Sequence, residues 1–440
     1  MINKKKWMLA LSSLLLLAAA GCSFANNQSK EPDKLTLFVA SDIHYLAPEL
    51  NDNGEAFQKY MTNSDGKFLR YIDPITNAFI RDVNGQKPDV LIISGDLTNN
   101  GEKASHKELA DKLESIEQET GTKIYVIPGN HDIKNPWARG FQGSEQYVTD
   151  SITPEDFADI YQDFGYTEAV SRDEGSLSYL ATPSKDLWLL MLDTSISEFN
   201  ELMGNPMING ELSPETLAWI RKCGEQAKNE NARLVAVMHH NLLDHSKVLN
   251  KGFTLDNNEE ALEVFKECGI QLVFSGHIHL QNIKSDGTDH PIYDIATGSL
   301  GVYPVQYGIL TFDPTDGFDY NTSLVDVEGW AKAEGIEDEN LTGFSDYSKA
   351  YYSEASLKKA KDRLAEVEGY TDKEKQMMAE TMGKLNLNYF AGTIDKVREE
   401  ILASEGYHLW ETADPSVRTK NYILSVLEDG KDNHNHLTLR

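Results

Sequence analysis

Three consecutive side chains of metal-binding types follow one short apolar segment. The segment runs from Lys123 to Ile127, is rich in β-branched residues, and is typical of a buried strand. A Pro-Gly break follows, and then Asn130, His131 and Asp132. An amide, an imidazole and a carboxylate in this position could bind a metal ion or move a proton. The pattern predicts a site beyond the carboxyl end of the strand, where open α/β sheets bind ligands.

The same arrangement recurs at four other apolar segments, which makes chance a poor explanation. The other pairings are Leu35 to Ala40 before Asp42 and His44, Val90 to Ile93 before Asp96, Leu234 to Met238 before His239 and His240, and Leu272 to Phe274 before His277 and His279. Half of the 12 histidines in the chain stand at these strand ends. We therefore expect one site built from many strand ends rather than scattered surface histidines.

The segments between these strands have helical patterns. Helices are predicted over Lys103 to Glu119, over Glu215 to Ala227 after a Ser213 cap and Pro214, and over Glu259 to Cys268. A hairpin is predicted from Leu177 to Ala181 and Leu187 to Asp193, with late strands at Ile292 to Ala296 and Gly308 to Phe312. Strand–helix alternation with these later strands predicts an α/β fold with two sheets flanked by helices.

Three long connections begin directly after strand ends that carry site residues. They are Tyr45 to Tyr71, Ile133 to Gly175, and Asn241 to Asn258. Connections of this length are unusual unless they are functional, so we expect them to overhang the site and select the substrate. The alternative is that these connections lie on the surface and have no role in selecting the substrate.

From residue 321 the pattern becomes helical, and no strand is predicted beyond about residue 330. Amphipathic spacing from Tyr347, a capping box at Thr371 and Glu374, a cap at Thr393, and a final helix from Asp414-Pro415 to Gly430 mark the helices. His434 and His436 are predicted to lie in an exposed, disordered tail. We therefore divide the chain into a domain over residues 34–320 and a small helical domain over residues 321–440.

The charge of the chain excludes one class of partner. The 440 residues carry a formal net charge of −29, whereas binding to a nucleic acid polymer depends on Lys and Arg. A small phosphate ester is still compatible, because bound metal ions supply local positive charge. Cys223 and Cys268 are predicted to be buried free thiols, with a disulfide between them as the alternative.

The first 33 residues are predicted to direct and tether the protein. Residues 1–21 have a lysine-rich start and an apolar stretch too short for a comfortable membrane span. They end in small residues before Cys22, which resembles a bacterial lipoprotein cleavage site. The resemblance implies lipid on Cys22 and an extracytoplasmic protein anchored to the bacterial cell membrane. The polar composition of the following residues predicts a tether over residues 22–33. The alternative is ordinary secretion with a free Cys22.

Taken in order, the blocks Asp-x-His, Gly-Asp, Gly-Asn-His-Asp, His and Gly-His-x-His resemble the calcineurin-like metallophosphoesterase superfamily. They occupy residues 42–279. The resemblance implies a four-layer αββα metallophosphoesterase sandwich, here with a small C-terminal helical domain, and a centre of two divalent metal ions. The ligand types suit Mn, Fe or Zn.

The resemblance also assigns roles, residue by residue. It implies that Asp42, His44 and His279 hold one ion, that Asn130, His239 and His277 hold the other, and that Asp96 bridges them. A metal-bridging hydroxide would attack phosphorus. His131 would bind the phosphate and protonate the leaving oxygen, with Asp132 as a candidate orienting partner. His240 is predicted to support the site without binding metal.

Within the superfamily, the Gly-His-x-His ending and the spacing of the five blocks are most similar to class III cyclic-nucleotide phosphodiesterases. The helical carboxy-terminal region is similar to that of bacterial lipoprotein members of this group. This implies a small phosphodiester substrate, with cyclic nucleotides as the leading candidates. A phosphomonoesterase or nucleotidase stays open, as does a solute-binding lipoprotein without turnover, although a receptor needs no proton donor. Tyr45, Trp137 or Phe141 could stack on a base, or could instead form the core of the insertions. No motif identifies a protein partner.

Changing Cys22 to Ser tests the anchor. We expect the variant to leave the membrane fraction or to keep its signal segment, because no thiol is left to accept lipid. Cell fractionation and amino-terminal sequencing measure both outcomes. Unchanged membrane partition with a normally processed amino terminus would rule the anchor out.

Overall fold

The structure is a computed structural model that describes residues 34–440 except 63, 65, 366 and 415–417. The predicted signal segment, tether and Cys22 lie outside the described residues, as does Pro415 at the predicted start of the last helix. Within the described part of the chain, no helix has both the length and the apolar character needed to cross a bilayer.

The strands, in chain order, are β1 (Leu35–Ala40), β2 (Val90–Ser94), β3 (Lys123–Ile127), β4 (Arg139–Gln142), β5 (Glu145–Val148), β6 (Ser171–Arg172), β7 (Tyr179–Ala181), β8 (Leu187–Leu192), β9 (Arg233–Met238), β10 (Leu272–Ser275), β11 (Asn282–Ser285), β12 (Tyr293–Ala296), β13 (Gln306–Asp313), β14 (Gly317–Leu324) and β15 (His436–Leu439).

The α-helices are α1 (Glu55–Met61), α2 (Ile72–Gln86), α3 (Lys103–Thr120), α4 (Pro154–Ile160), α5 (Asn200–Met203), α6 (Pro214–Glu230), α7 (Asn258–Cys268), α8 (Val327–Ala333), α9 (Glu339–Thr342), α10 (Phe344–Ala365), α11 (Asp372–Phe390), α12 (Ile394–Leu402), α13 (Glu405–Thr412) and α14 (Arg418–Asp429).

Two mixed sheets form the centre of the molecule. The first has the strand order β15-β14-β13-β1-β2-β3, and the second has the order β11-β12-β10-β9-β8-β7-β6. The strands β1, β2 and β3 run parallel, and so do β8, β9, β10 and β12. Parallel strands present their carboxyl ends at one edge, and this shared direction is what brings the distant sequence blocks together.

The alternation of side chains along the second sheet builds the layers. Leu189, Val235 and Phe274 face the core between the two sheets, whereas their neighbours Leu190 and Ala236 face the core under α6 and α7. The first sheet shares its core with α2 and α3. Successive residues of a strand point to opposite faces, so these buried strands are apolar on both sides. The predicted four-layer αββα architecture is confirmed.

Several caps and turns lie where the local sequence patterns predicted them. The Ser213 hydroxyl accepts the Thr216 N–H at 3.0 Å to cap α6. The predicted capping box of α11 is present, with the Glu374 carboxylate accepting the Thr371 N–H at 2.7 Å. The predicted hairpin is confirmed as the antiparallel pair β7 and β8. Cys223 and Cys268 are free and buried.

The carboxyl terminus departs from the sequence prediction. His436–Leu439 forms β15 and pairs with β14, so the expectation of no strand beyond about residue 330 is wrong. The expectation for His434 is also wrong, since its side chain is buried and its Nδ1 accepts the Ile283 N–H at 3.1 Å. Leu437 and Leu439 alternate with polar residues and pack against the core, which is the pattern of a half-buried strand that the prediction missed. The boundary at residue 320 stays a prediction.

Candidate metal centre

The carboxyl ends of β1, β2, β3, β9 and β10 converge on one buried group of side chains. Asp42 and His44, which follow β1, lie together with Asp96, which follows β2, and with His279, which follows β10. One possible ligand atom from each of these four residues lies within 4.8 Å of all the others. His44 Nε2 is 3.0 Å from His279 Nε2, and His279 Nε2 is 3.3 Å from an oxygen of Asp42. We call this group the first cluster.

A second cluster shares one carboxylate with the first. Asp96, His239 and His277 also place ligand atoms within 4.8 Å of one another. Asn130 Oδ1 lies 3.1 Å from His239 Nε2, so the amide joins this group. Asp96 is the member common to both clusters, which is the arrangement that a bridging carboxylate requires. The seven predicted ligands therefore lie together in the predicted partition, while their binding of metal stays a prediction.

Two histidines of the second cluster are oriented by backbone carbonyls. His239 Nδ1 donates to the Ser94 carbonyl at 3.0 Å, and His277 Nε2 donates to the Gly252 carbonyl at 2.9 Å. A carbonyl only accepts, so the other nitrogen of each ring is the one that can face a metal ion. Metal-binding histidines are commonly held in this way, which fixes the tautomer and the ring orientation.

The donor set fits cations. Asp42 Oδ1 is buried and accepts no hydrogen bond, and His239 Nε2 faces Asn130 Oδ1 at 3.1 Å and Asp96 Oδ1 at 3.4 Å. Burial alone would lower the pKa of His239, but the carboxylates of Asp96 and Asp42 outweigh it and raise the pKa to about 9. A divalent ion among these carboxylate oxygens and imidazole nitrogens would supply positive charge where the buried ligand atoms converge.

The backbone at the strand ends is strained. Five of the seven predicted ligands have φ in the left-handed region, with values of 51° for Asp42, 53° for His44, 49° for Asp96, 69° for His277 and 61° for His279. Such conformations cost about 1–3 kcal/mol each and persist only where the surroundings impose them. They turn the side chains off the strand direction and toward the shared site.

Two glycines of the sequence blocks allow this close approach. A Cβ on Gly129 would lie 2.3 Å from Asp96 Oδ1, and a Cβ on Gly276 would lie 2.6 Å from Asp42 Oδ2. Both distances are too short for any side chain. The glycine before Asn130 and the glycine before His277 are thus needed so that neighbouring strand ends can meet.

His131 lies at the open side of the site. Its Nδ1 donates to the Asn99 carbonyl at 2.7 Å, and its Nε2 is 4.0 Å from Asp96 Oδ2. The side chain is 21% exposed, whereas that of Asp96 is 1% exposed. Burial lowers the pKa of His131 to about 4, although Asp96 opposes the shift. The ring is fixed in orientation and presents Nε2 beside the predicted bridge.

Asp132 does not orient the His131 ring, so that part of the prediction is wrong. The fully buried carboxylate accepts the N–H groups of Leu97, Thr98 and Gly129 at 3.1, 2.9 and 2.8 Å, and the Thr98 hydroxyl at 2.9 Å. Burial and the neighbouring Asp96 raise its pKa to about 7, while these donors oppose the rise. Asp132 therefore joins the loop after β2 to the loop after β3 through these hydrogen bonds, and it is not placed as a catalytic group.

The placement of His240 agrees with a supporting role. Its Nδ1 lies 2.7 Å from the Thr194 hydroxyl, and its Nε2 donates to the Ile208 carbonyl at 3.0 Å. Both ring nitrogens therefore have protein partners. The ring packs 4.6 Å from the ring of His277, so it supports a predicted ligand without facing the metal itself.

Of the three aromatic side chains considered for base stacking, one is accessible. Tyr45 is buried, and its hydroxyl lies 2.8 Å from a carboxylate oxygen of Asp73 and 2.8 Å from one of Glu108. Phe141 is also buried, in the core of the insertions. Trp137 is 43% exposed and donates its Nε1–H to the Gly204 carbonyl at 3.3 Å. Sequence alone does not separate an exposed ring from a core ring within an insertion.

A fourth connection at the site was not predicted. Residues 193–213 contain α5 and supply the Ile208 carbonyl to His240. They also contact the loop after His131, where Asn200 Nδ2 donates to the Ile133 carbonyl at 3.0 Å. Phe199, Leu202, Met203 and Ile208 are exposed on this connection. It follows β8, whose end carries no predicted ligand, so no sequence signal placed it at the site.

Comparison with known proteins agrees with this architecture. The family described as "Calcineurin-like phosphoesterase" matches residues 35–281, which is more than half of the 440 residues. A second family, described as "C-terminal domain of cyclic nucleotide phosphodiesterase", matches residues 326–433. The first match covers all five sequence blocks of the site, and the second covers α8 to α14.

Two similar proteins with curated names match only part of this chain. A cAMP/cGMP dual specificity phosphodiesterase of Mycobacterium tuberculosis is 23% identical over 198 residues, which are 44% of this chain and 50% of that protein. A probable cyclic nucleotide phosphodiesterase of Vesicomyosocius okutanii is 49% identical over 47 residues, 11% of this chain and 18% of that protein. The chain thus matches half or less of the length of these relatives.

Among solved structures, a dimetal phosphatase from Danio rerio aligns with 67% of this chain and 96% of its own chain, at 13% identity and a TM-score of 0.44. The family assignment depends instead on the match over residues 35–281 and on the strand ends that this match contains. This chain belongs to the calcineurin-like phosphoesterase family.

Proposed function

We propose that the protein is a metal-dependent phosphodiesterase that hydrolyses small phosphodiesters, with cyclic nucleotides as the leading candidates. One observation carries the proposal, namely two ligand clusters that share Asp96, with His131 beside the shared carboxylate. The curated relatives named as cyclic nucleotide phosphodiesterases support the substrate class.

The charge balance of the clusters favours an anionic substrate. When bound, two divalent ions would supply Lewis acidity and would lower the pKa of water near phosphorus. Among the seven predicted ligands only Asp42 and Asp96 are acidic, so two negative charges face four positive ones. The excess positive charge would attract a phosphate group into a chain whose formal net charge is −29.

His131 is the proposed proton donor to the leaving oxygen. Its Nδ1–H is held by the Asn99 carbonyl, so Nε2 is the atom that can face the substrate. An anionic phosphate beside Nε2 would counter the effect of burial and raise the pKa of the ring. The proton would therefore be held at Nε2 when substrate is present.

The surroundings of His131 suit a small organic ester. Asn135 Nδ2 donates to the His131 backbone carbonyl at 2.9 Å, and Asn135 Oδ1 accepts the backbone N–H of Trp137 at 2.9 Å. Trp137 thus lies on the loop that follows the proposed acid, and its ring is exposed. The Trp137 Nε1–H contacts the connection over residues 193–213, which carries exposed apolar side chains. A ring and apolar side chains bind a nucleobase better than they bind a phosphate backbone.

We also propose that the protein is anchored through lipid on Cys22, outside the cytoplasm. The support is the sequence of residues 1–22 alone, since these residues lie outside the described part of the chain.

Changing His131 to Gln tests the proton donor. We expect metal content near that of the unchanged protein and a fall in kcat of roughly 10²–10⁴, which is the usual contribution of a positioned acid. The loss should shrink for nitrophenyl esters, whose leaving group needs no proton. His408→Gln, at an exposed position on α13, serves as the control and should change nothing. An equal loss on all substrates would point to phosphate binding instead of acid catalysis.

A substrate comparison tests the proposed class. Under one metal condition, we expect kcat/KM to be higher for cyclic mononucleotides than for linear dinucleotides or nucleoside monophosphates. Trp137→Ala should lower kcat/KM for cyclic nucleotides by roughly 5–150-fold, since base stacking contributes about 1–3 kcal/mol. The same variant should barely affect an ester that carries no base.

A monoester preferred by more than tenfold would reclassify the protein as a nucleotidase-like phosphatase. No turnover of any nucleotide would reject the substrate assignment and leave the metal centre standing. Binding of esters without turnover of any of them would indicate a receptor.

A further inference from the structure

The Gly-His-x-His segment lies between the catalytic sheets and the C-terminal helices. Its histidines, His277 and His279, face the two clusters. The residues that alternate with them, Ile278 and Leu280, are 5% and 1% exposed and belong to the hydrophobic core of the C-terminal helices. That core also contains Met378, Tyr389 and Trp410. One face of the segment thus contacts the predicted metal site, and the other is part of the helical domain.

Hydrogen bonds continue this attachment directly beyond His279. The Gln281 N–H donates to the Phe390 carbonyl at 3.1 Å, and Gln281 Nε2 donates to the His434 carbonyl at 2.8 Å. The Ile283 N–H donates to His434 Nδ1 at 3.1 Å. These contacts connect the segment to the end of α11 and to the chain just before β15. Gln281 and His434 are both buried, so water cannot readily take the place of either hydrogen-bond partner if a substitution removes it.

The helical domain also contacts the segment that lies beside the other histidine of the first cluster. The Phe68 ring packs 5.6 Å from Phe344 and 5.3 Å from Tyr351, both on α10. The preceding residue, Lys67, places Nζ 3.2 Å from His44 Nδ1. The segment that contacts His44 through Lys67 is therefore packed on α10 through Phe68.

We propose that the C-terminal helical domain is a structural part of the metal centre, in which Gln281 and His434 position His279 for the ion of the first cluster. This inference rests on the proposed metal centre but not on any particular substrate. The left-handed backbone of His277 and His279, at φ 69° and 61°, gives the physical reason. A strained segment of this kind keeps its conformation only when its surroundings hold it, and the helical domain supplies that hold.

Metal binding by variants of the full chain tests the inference. We expect Gln281→Ala to bind one of two Mn²⁺ ions about 10–100-fold more weakly, the range seen when groups that orient metal ligands are lost. Competition with a chelator measures the affinity, and elemental analysis after gel filtration measures the number of ions. The rise in melting temperature on adding Mn²⁺ should shrink in the same variant.

The control variant disturbs the core that the helical domain shares with the segment but removes no hydrogen bond made by the segment itself. Trp410→Phe removes the bond from Trp410 Nε1 to the Met378 carbonyl, at 2.8 Å, but keeps a ring in the core. We expect this variant to melt at a lower temperature with or without Mn²⁺ and to keep both affinities. A purely structural role for Gln281 would give the same result as this control and would overturn the inference.

A second pair of variants covers the case in which Gln281→Ala fails to fold. His434→Ala removes the acceptor for the Ile283 N–H, and His434→Asn restores an acceptor oxygen near the position of Nδ1. We expect the alanine variant to bind one ion more weakly and the asparagine variant to recover most of the affinity. Equal affinities in both variants and the unchanged protein would contradict the inference. If the unchanged protein binds no metal, the proposed function fails instead.

Discussion

The site depends on one buried carboxylate that two clusters share. Asp96 is 1% exposed, lies at the end of β2, and faces His239 Nε2 at 3.4 Å on one side and His44 Nε2 at 3.7 Å on the other. The Asp96 carboxylate also accepts the backbone N–H of His131 at 2.9 Å, which places the proposed acid relative to the proposed bridge. Without this side chain the sheets would present two separate groups of ligands rather than one continuous centre.

The close approach around Asp96 sets conditions on the rest of the fold. Parallel strands bring their carboxyl ends to one edge, and Gly129 leaves the space that Asp96 occupies. The Asp132 carboxylate then holds the loops after β2 and β3 together through backbone N–H groups. A buried carboxylate with several donors is costly to disturb, so this contact fixes the loops on which Asp96 and His131 lie.

The sequence predicted the catalytic fold and the grouping of the site because both depend on local and repetitive signals. Apolar runs marked β1 and β3 with the bounds that the structure has, and ligand types at successive strand ends identified a common edge. It did not predict contacts that depend on tertiary packing. His434 lies in a polar stretch, yet its side chain is buried and supports Ile283. The hydrogen bonds of Asp132 and the burial of Tyr45 likewise follow from packing that no local pattern encodes.

The central claim is that Asp96 joins two metal ions in one centre, and anomalous diffraction from crystals of the Mn²⁺-loaded protein tests it most directly. We expect two manganese peaks on opposite sides of Asp96, about 3.5–4 Å apart. Crystals of Asp96→Asn should lose one or both peaks. A single ion in the unchanged protein, or two ions that remain in place without the Asp96 carboxylate, would contradict the account.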